Sequence, residues 1–140
     1  MTKYVVDASI VAKWFFPEEY SETCLQLVSS KNRLFAPDLI WNEVGNVIWK
    51  RVRRGEISVE EATRLIDDLL QMPLETQTSR DLMSIAIQIS LSVGITVYDA
   101  SYLALAMTHQ FKMVTADEKL VRVLTGTNFE TYLQPLTELH

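Results

Sequence analysis

Three short apolar runs in this chain each end at a polar residue and pass directly into a helical pattern. Tyr4-Val5-Val6 leads into Asp7-Ala8-Ser9, Leu34-Phe35-Ala36 into Pro37-Asp38, and Phe111-Lys112-Met113-Val114 into Thr115-Ala116-Asp117. Runs of this length are too short for buried helices, and their β-branched and aromatic content suits strands. Strands that alternate with helices imply a parallel sheet covered by helices, an α/β fold. In such sheets ligands sit beyond the carboxyl ends of the strands. Asp7, Thr115 and Asp117 all follow strand candidates and are expected at that edge.

The remaining punctuation fills in the helices. Helical spacing runs from Asp7 through Trp14, stops near Pro17 and resumes from Ser21 to Val28. Pro37-Asp38 reads as the opening of a helix that reaches Arg54 and stops at Gly55, because proline is tolerated in a first turn. Ser58 and Glu61 have capping-box spacing and open a helix toward Met72. A strand near Leu74 is followed by a helix from Ser79 to Val93, closed by Gly94. Asp99-Ala100-Ser101 starts a helix ending near His109, and a short helix follows Asp117. No repeat, low-complexity run or Pro/Gly-rich linker divides the 140 residues, so a single domain spanning 1–140 is expected.

Composition narrows the function. A chain 48% hydrophobic and 22% charged is an ordinary globular sequence rather than a disordered one. The single cysteine, Cys24, cannot form an internal disulfide and reads as a small apolar filler on a helix. Nothing has the length of a membrane span or the form of a signal peptide, so a cytoplasmic protein with no membrane association is expected. A formal net charge of -5 excludes coating of nucleic acid by bulk attraction. Any such contact must be local, and the one basic cluster is Lys50-Arg51-Val52-Arg53-Arg54. Those cations either complement a helix C-terminus or guide phosphates. P-loop and dinucleotide-binding fingerprints are missing.

Four acids carry the chemical interest. Asp7, Asp99 and Asp117 each stand at a helix start, where an aspartate can simply cap free backbone N–H groups. Glu43 lies beside the core stripe of Ile40, Val44, Val47 and Ile48, so it faces inward more than outward. An inward carboxylate needs a partner, either a cation such as Lys50 or a distant arginine, or a role in a site. Carboxylates converging at one edge repel one another unless a cation balances them. Oxygen-only ligation without His or Cys suits Mg²⁺ or Mn²⁺, and that equipment suits phosphodiester hydrolysis. Ser9 and Thr115 each stand two residues from a proposed ligand, where a hydroxyl can orient water or make a local turn bond.

Val6-Asp7-Ala8-Ser9, Asn42-Glu43-Val44, Tyr98-Asp99-Ala100-Ser101-Tyr102-Leu103-Ala104-Leu105-Ala106 and Val114-Thr115-Ala116-Asp117 together form a recognisable series. In order and interval the series resembles the PIN-domain family, and within it the VapC-like toxins of bacterial and archaeal toxin–antitoxin pairs. The resemblance implies a flavodoxin-like, three-layer α/β/α sandwich with a mostly parallel central sheet. It also implies metal-dependent cleavage of single-stranded RNA, with Mg²⁺ or Mn²⁺ held by Asp7, Glu43, Asp99 and Asp117 and with Thr115 as the hydroxyl before the last acid. A homodimer and a cognate antitoxin that sends a basic side chain toward the acids are the partners it implies. Many relatives continue from the last acid into an acidic-aromatic pair, whereas Glu118-Lys119-Leu120 follows here, which leaves Glu118 as an alternative fourth acid. A phosphoaspartyl phosphatase would carry a second aspartate where this chain has Ser9. The competing reading from another class is a non-catalytic module that binds partners through exposed aromatics among Trp14, Phe15, Phe16, Trp41 and Trp49.

Overall fold

The computed structural model describes residues 1–29 and 31–139. Five strands, β1 (Thr2–Val6), β2 (Asn32–Pro37), β3 (Leu74–Gln77), β4 (Lys112–Thr115) and β5 (Leu133–Pro135), form one sheet in the order β3-β2-β1-β4-β5. Every pairing is parallel, so the mostly parallel expectation becomes a wholly parallel sheet. Val5 pairs with Phe35 on one side and with Met113 on the other, which makes β1 the central strand. The winding changes direction between β1 and β4. Their carboxyl ends, at Val6 and Thr115, open the crevice where such folds bind ligands.

Among the described residues seven α-helices clothe the sheet: α1 (Ala8–Phe15), α2 (Ser21–Gln26), α3 (Ile40–Arg53), α4 (Val59–Leu70), α5 (Ser79–Val93), α6 (Val97–His109) and α7 (Glu118–Leu124). One layer is built from α1 packed on α2 and α3, with α3 in turn against α4. In the other, α6 lies against β1, β2 and β4 and carries α5 on its outer side. Ala100 through Ala106 are all buried, since the helix has sheet on one side and α5 on the other. The small residues Ala100, Ser101, Ala104 and Ala106 let backbones approach closely on both faces. Together with Val5, Val6, Ile10, Ile40, Met113 and Val114 they make a continuous core beneath the crevice. No single helix among the described residues is long and apolar enough to cross a membrane, and the apolar α5–α6 pair is bent by 116°.

Local chemistry explains most boundaries. Ser58 and Glu61 form the reciprocal capping box at the start of α4. Gly55 and Gly94 adopt φ of +73° and +76°, the left-handed geometry that ends α3 and α5. The expected helix opening at Pro37-Asp38 is corrected here. Pro37 does not open a helix but closes β2, where it pairs only with Gln77 of β3, past the last β1–β2 pair. Asp38 does not cap the following helix. Its Oδ1 accepts hydrogen bonds from the Ser79 N–H at 2.9 Å and the Ser79 hydroxyl at 2.6 Å, so it holds the start of α5 from across the sheet edge. β5 lies outside the strands expected from the sequence. It is three residues long, sits at the sheet edge and contains Pro135, which has no N–H for a further ladder.

Asp38→Ala should therefore lower stability by about 0.5–2 kcal/mol, the usual range for a lost helix cap. Urea denaturation should show a lower midpoint with an unchanged slope. An unchanged midpoint would mean that the bonds to Ser79 contribute nothing net.

Candidate active site

Asp7 follows the last residue of β1 and is only 7% exposed, at the crevice between β1 and β4. Three donors converge on it. Its Oδ1 accepts from the Ser9 hydroxyl at 2.5 Å and from the Ile10 N–H at 3.3 Å, and its Oδ2 accepts from the Thr115 hydroxyl at 2.5 Å. The same hydroxyls take backbone donors: Ser9 Oγ accepts from the Ala116 N–H at 3.0 Å and Thr115 Oγ1 from the Asp117 N–H at 3.1 Å. Both hydroxyl protons are committed to Asp7, so Ser9 and Thr115 act as positioning residues for that carboxylate. The cap expected of Asp7 is present too, because the bond to Ile10 lies in the first turn of α1.

Glu43, in the first turn of α3, is half-buried and makes no ion pair with Lys50 or any arginine among the described residues. Its Oε1 accepts from the Tyr102 hydroxyl at 2.6 Å. Tyr102 is itself 2% exposed and was missed as a member of the site. Two signals point to it: it lies one turn beyond Asp99 on the same face of α6, and a buried tyrosine hydroxyl requires a partner. Asp99 stands in the first turn of α6 rather than before it. The cap belongs to Thr96, whose hydroxyl accepts from the Asp99 N–H at 3.1 Å, leaving the Asp99 carboxylate free of that duty. Asp117 does cap its helix, accepting from the Leu120 N–H at 3.1 Å.

The charges of these acids act on one another. Burial pushes the Asp7 carboxyl up to about 6 against the lowering effect of its three hydrogen bonds, and the nearby Asp99 charge adds to the rise. Glu43 is raised by burial, opposed by Tyr102, and raised further by Asp99. Burial raises Asp99 as well, and the neighbouring charge it feels is that of Asp117. Asp99 is thus the common neighbour of the other three. Among the described residues none of the four is in a salt bridge, so their negative charge is uncompensated. Among those residues, too, no group of three His, Cys, Asp or Glu side chains is arranged to grip an ion as it stands. Asp7 and Glu43 are held by hydroxyls instead. The donor set nonetheless fits a hard divalent cation: the atoms offered are all oxygens, and the buried charge lacks a counterion.

The basic cluster lies elsewhere. At the α-helical rise, Lys50 to Arg54 stand about 10–16 Å along the axis from Glu43. Arg51 is engaged structurally, paired with Glu18 at 2.9 Å and Glu56 at 3.2 Å and seated 4.3 Å from the centre of the Phe16 ring. Of the aromatics, Trp49 is exposed while Trp14 turns inward, its indole N–H donating to the Cys24 carbonyl at 2.8 Å. Phe15, Phe16, Ile57 and Leu65 give a groove of about 470 Å³ its apolar part, and Glu61, Arg64, Asp67 and Asp68 line the rest.

A wholly parallel α/β sandwich with acids gathered at the point where its winding reverses is thus the class of protein in hand. The chain belongs to the PIN-domain family, whose match spans residues 4–124. It is 38% identical to the ribonuclease VapC3 of Pyrobaculum aerophilum over 120 residues, covering 84% of this chain and 92% of the relative. The crystal structure of PAE2754 from Pyrobaculum aerophilum superposes with a TM-score of 0.70 at 24% identity, covering 99% of this chain and 86% of the other. A toxin–antitoxin complex from Klebsiella pneumoniae superposes with a TM-score of 0.62 at 15% identity, covering 95% and 97% of the two chains.

The elevated Asp7 carboxyl has a consequence for stability. Below about pH 4 the group is neutral in both folded and unfolded states. Between there and about pH 6 the unfolded chain ionises first, so the folded state loses stability as pH rises, by up to about 3 kcal/mol in total. In metal-free buffer, Asp7→Asn should flatten this part of the stability–pH curve and raise the melting temperature at pH 7. Parallel curves for the two proteins would show that Asp7 ionises in the fold without cost.

Proposed function

We propose that this chain is a metal-dependent endoribonuclease, the toxin of a toxin–antitoxin pair, which cuts phosphodiesters in single-stranded RNA. The observation that carries the reading is the buried, uncompensated Asp7 carboxylate with Glu43, Asp99 and Asp117 around it, in a PIN-domain chain 38% identical to a ribonuclease. The working unit is one nuclease domain spanning 1–140, acting in the cytoplasm.

Asp7, Glu43, Asp99 and Asp117 are the residues to hold Mg²⁺ or Mn²⁺. When bound, such a cation supplies positive charge to the phosphoryl oxygens and makes water more acidic. The chain's own residues do the rest. Ser9 and Thr115 fix the Asp7 carboxylate from both sides, and Tyr102 fixes Glu43, so two of the acids are oriented before any substrate arrives. Asp117, rather than Glu118, serves as the fourth acid, because its charge acts on Asp99.

Two partners follow from the surface. An antitoxin docks an amphipathic segment in the groove, its apolar side chains on Phe15, Phe16, Ile57 and Leu65 and its basic ones toward Glu61, Asp67 and Asp68, and extends a further basic side chain to the acids of the crevice, replacing the cation electrostatically. A second copy of the chain packs on the outer face of α5, where Met83, Ile87 and Leu91 recur at helical spacing and Leu91 is 81% exposed.

Asp7→Asn, Glu43→Gln and Asp99→Asn should each reduce Mn²⁺-dependent cleavage of a cellular RNA pool at least a hundredfold while the fold persists. Cleavage at the parent rate in all three would place the chemistry elsewhere. Light scattering at micromolar concentration should give the mass of a dimer, and Leu91→Glu should return it to a monomer. A partner protein that binds without suppressing cleavage would rule out inhibition through the acidic crevice.

A further inference from the structure

Beside the acidic crevice, at the carboxyl ends of β4 and β5, lies a second hollow that the four acids do not use. Its volume is about 370 Å³, within the range of small-molecule sites. Thr115 and Ala116 form the wall it shares with the active site, and the Thr115 hydroxyl is the one that holds Asp7. Its apolar surface comes from Val121 of α7 and from Pro135 and Leu136. Around these stand Lys13, Tyr20 and Arg122, with Glu19 and Glu118 as the acidic members.

This combination matches one nucleotide of an RNA strand. A nucleobase presents flat apolar faces, which the Val121, Pro135 and Leu136 surface accommodates, and its edge carries donors that Glu19 and Glu118 can accept. Tyr20 is 42% exposed and supplies an aromatic face for stacking. Its backbone has φ of +67°, a conformation that bulky residues rarely adopt, so the ring is placed here at a conformational cost. Lys13 is tied to Glu18 at 3.1 Å, whereas Arg122 is exposed on α7 and makes no salt bridge among the described residues. Arg122 is therefore the cation available to a phosphate. In a protein of net charge -5, a local cation beside the crevice is also what RNA approach requires.

We infer that this hollow is a nucleotide subsite in which the base stacks on Tyr20, the adjoining phosphate meets Arg122, and the next phosphodiester is thereby seated over Asp7. The inference rests on the ribonuclease reading and adds to it the residues that position the strand. Tyr20 and Arg122 are positioning residues; neither reaches the reacting atoms.

The test measures binding and cleavage separately. Binding is read by fluorescence anisotropy with a labelled single-stranded RNA hexamer of mixed sequence, on an Asp7→Asn background that does not cut it. Tyr20→Ala should weaken binding about tenfold, and Tyr20→Phe, which keeps the ring, should stay within about twofold of the parent. Arg122→Gln, at an exposed helix position where the fold is not at stake, should flatten the dependence of log Kd on log salt by about 0.7. On the otherwise unmodified protein the same substitutions should raise KM and leave kcat within about twofold. If RNA is cut but both substitutions leave Kd, salt slope and KM unchanged, the subsite is refuted and the ribonuclease reading stands. If RNA is neither bound nor cut by the parent protein, both fall together.

Discussion

The carboxylate of Asp7 is the joint on which the working edge of this molecule turns. It begins α1 by accepting from the Ile10 N–H, and it reaches across to β4 through Thr115. Through Ser9 it reaches the Ala116 N–H in the turn that leads to Asp117. Strand β1, helix α1, strand β4 and the approach to α7 are thus tied by one side chain at the place where the sheet reverses its winding. A buried acid in that position has a cost, because desolvation and the Asp99 charge both disfavour its ionised form. Three hydrogen bonds offset part of that cost and a cation would offset more. Fold and chemistry meet here as opposing demands on the same group.

What the sequence made legible, and what it concealed, divides along the range of the interactions. Short-range signals told the truth: the Ser58–Glu61 box, the stops at Gly55 and Gly94, and the strands beginning before Asp7 and Asp117 all depend on neighbours within a few residues. The interactions that deceived were long-range. Pro37-Asp38 has the form of a helix opening, yet Asp38 is claimed by Ser79, 41 residues away, and Pro37 by the ladder to Gln77. Glu43 announced itself as an inward acid in need of a partner, but the partner, Tyr102, lies 59 residues on and leaves no local trace beside it. β5 escaped because three residues with a proline carry no alternation to read.

The acids themselves show why recognising residues is not the same as knowing their duties. Three aspartates at apparent helix starts invite one common explanation, capping. Asp7 and Asp117 do cap, while the N–H of Asp99 is capped by Thr96 and its carboxyl feels the charge of Asp117. Likewise, the hydroxyls of Ser9 and Thr115 are equal in type and spacing from an acid, and both serve Asp7 rather than solvent. Arg51, a member of the basic cluster, is absorbed by Glu18, Glu56 and the ring of Phe16. Residue type narrows the chemistry; the fold distributes the work.

The burial of α6 has a mechanical corollary. Asp99 projects from the first turn of a helix whose next seven residues are all enclosed between the sheet and α5, so that acid sits on a part that cannot tilt or slide without opening the core. Asp117 begins a short helix at the surface, and Glu43 is half-buried at the start of α3. The acids are therefore mounted unevenly: Asp99 directly, and Glu43 through its bond to Tyr102, take their reference from the same enclosed helix, while Asp117 stands on a short surface helix of its own.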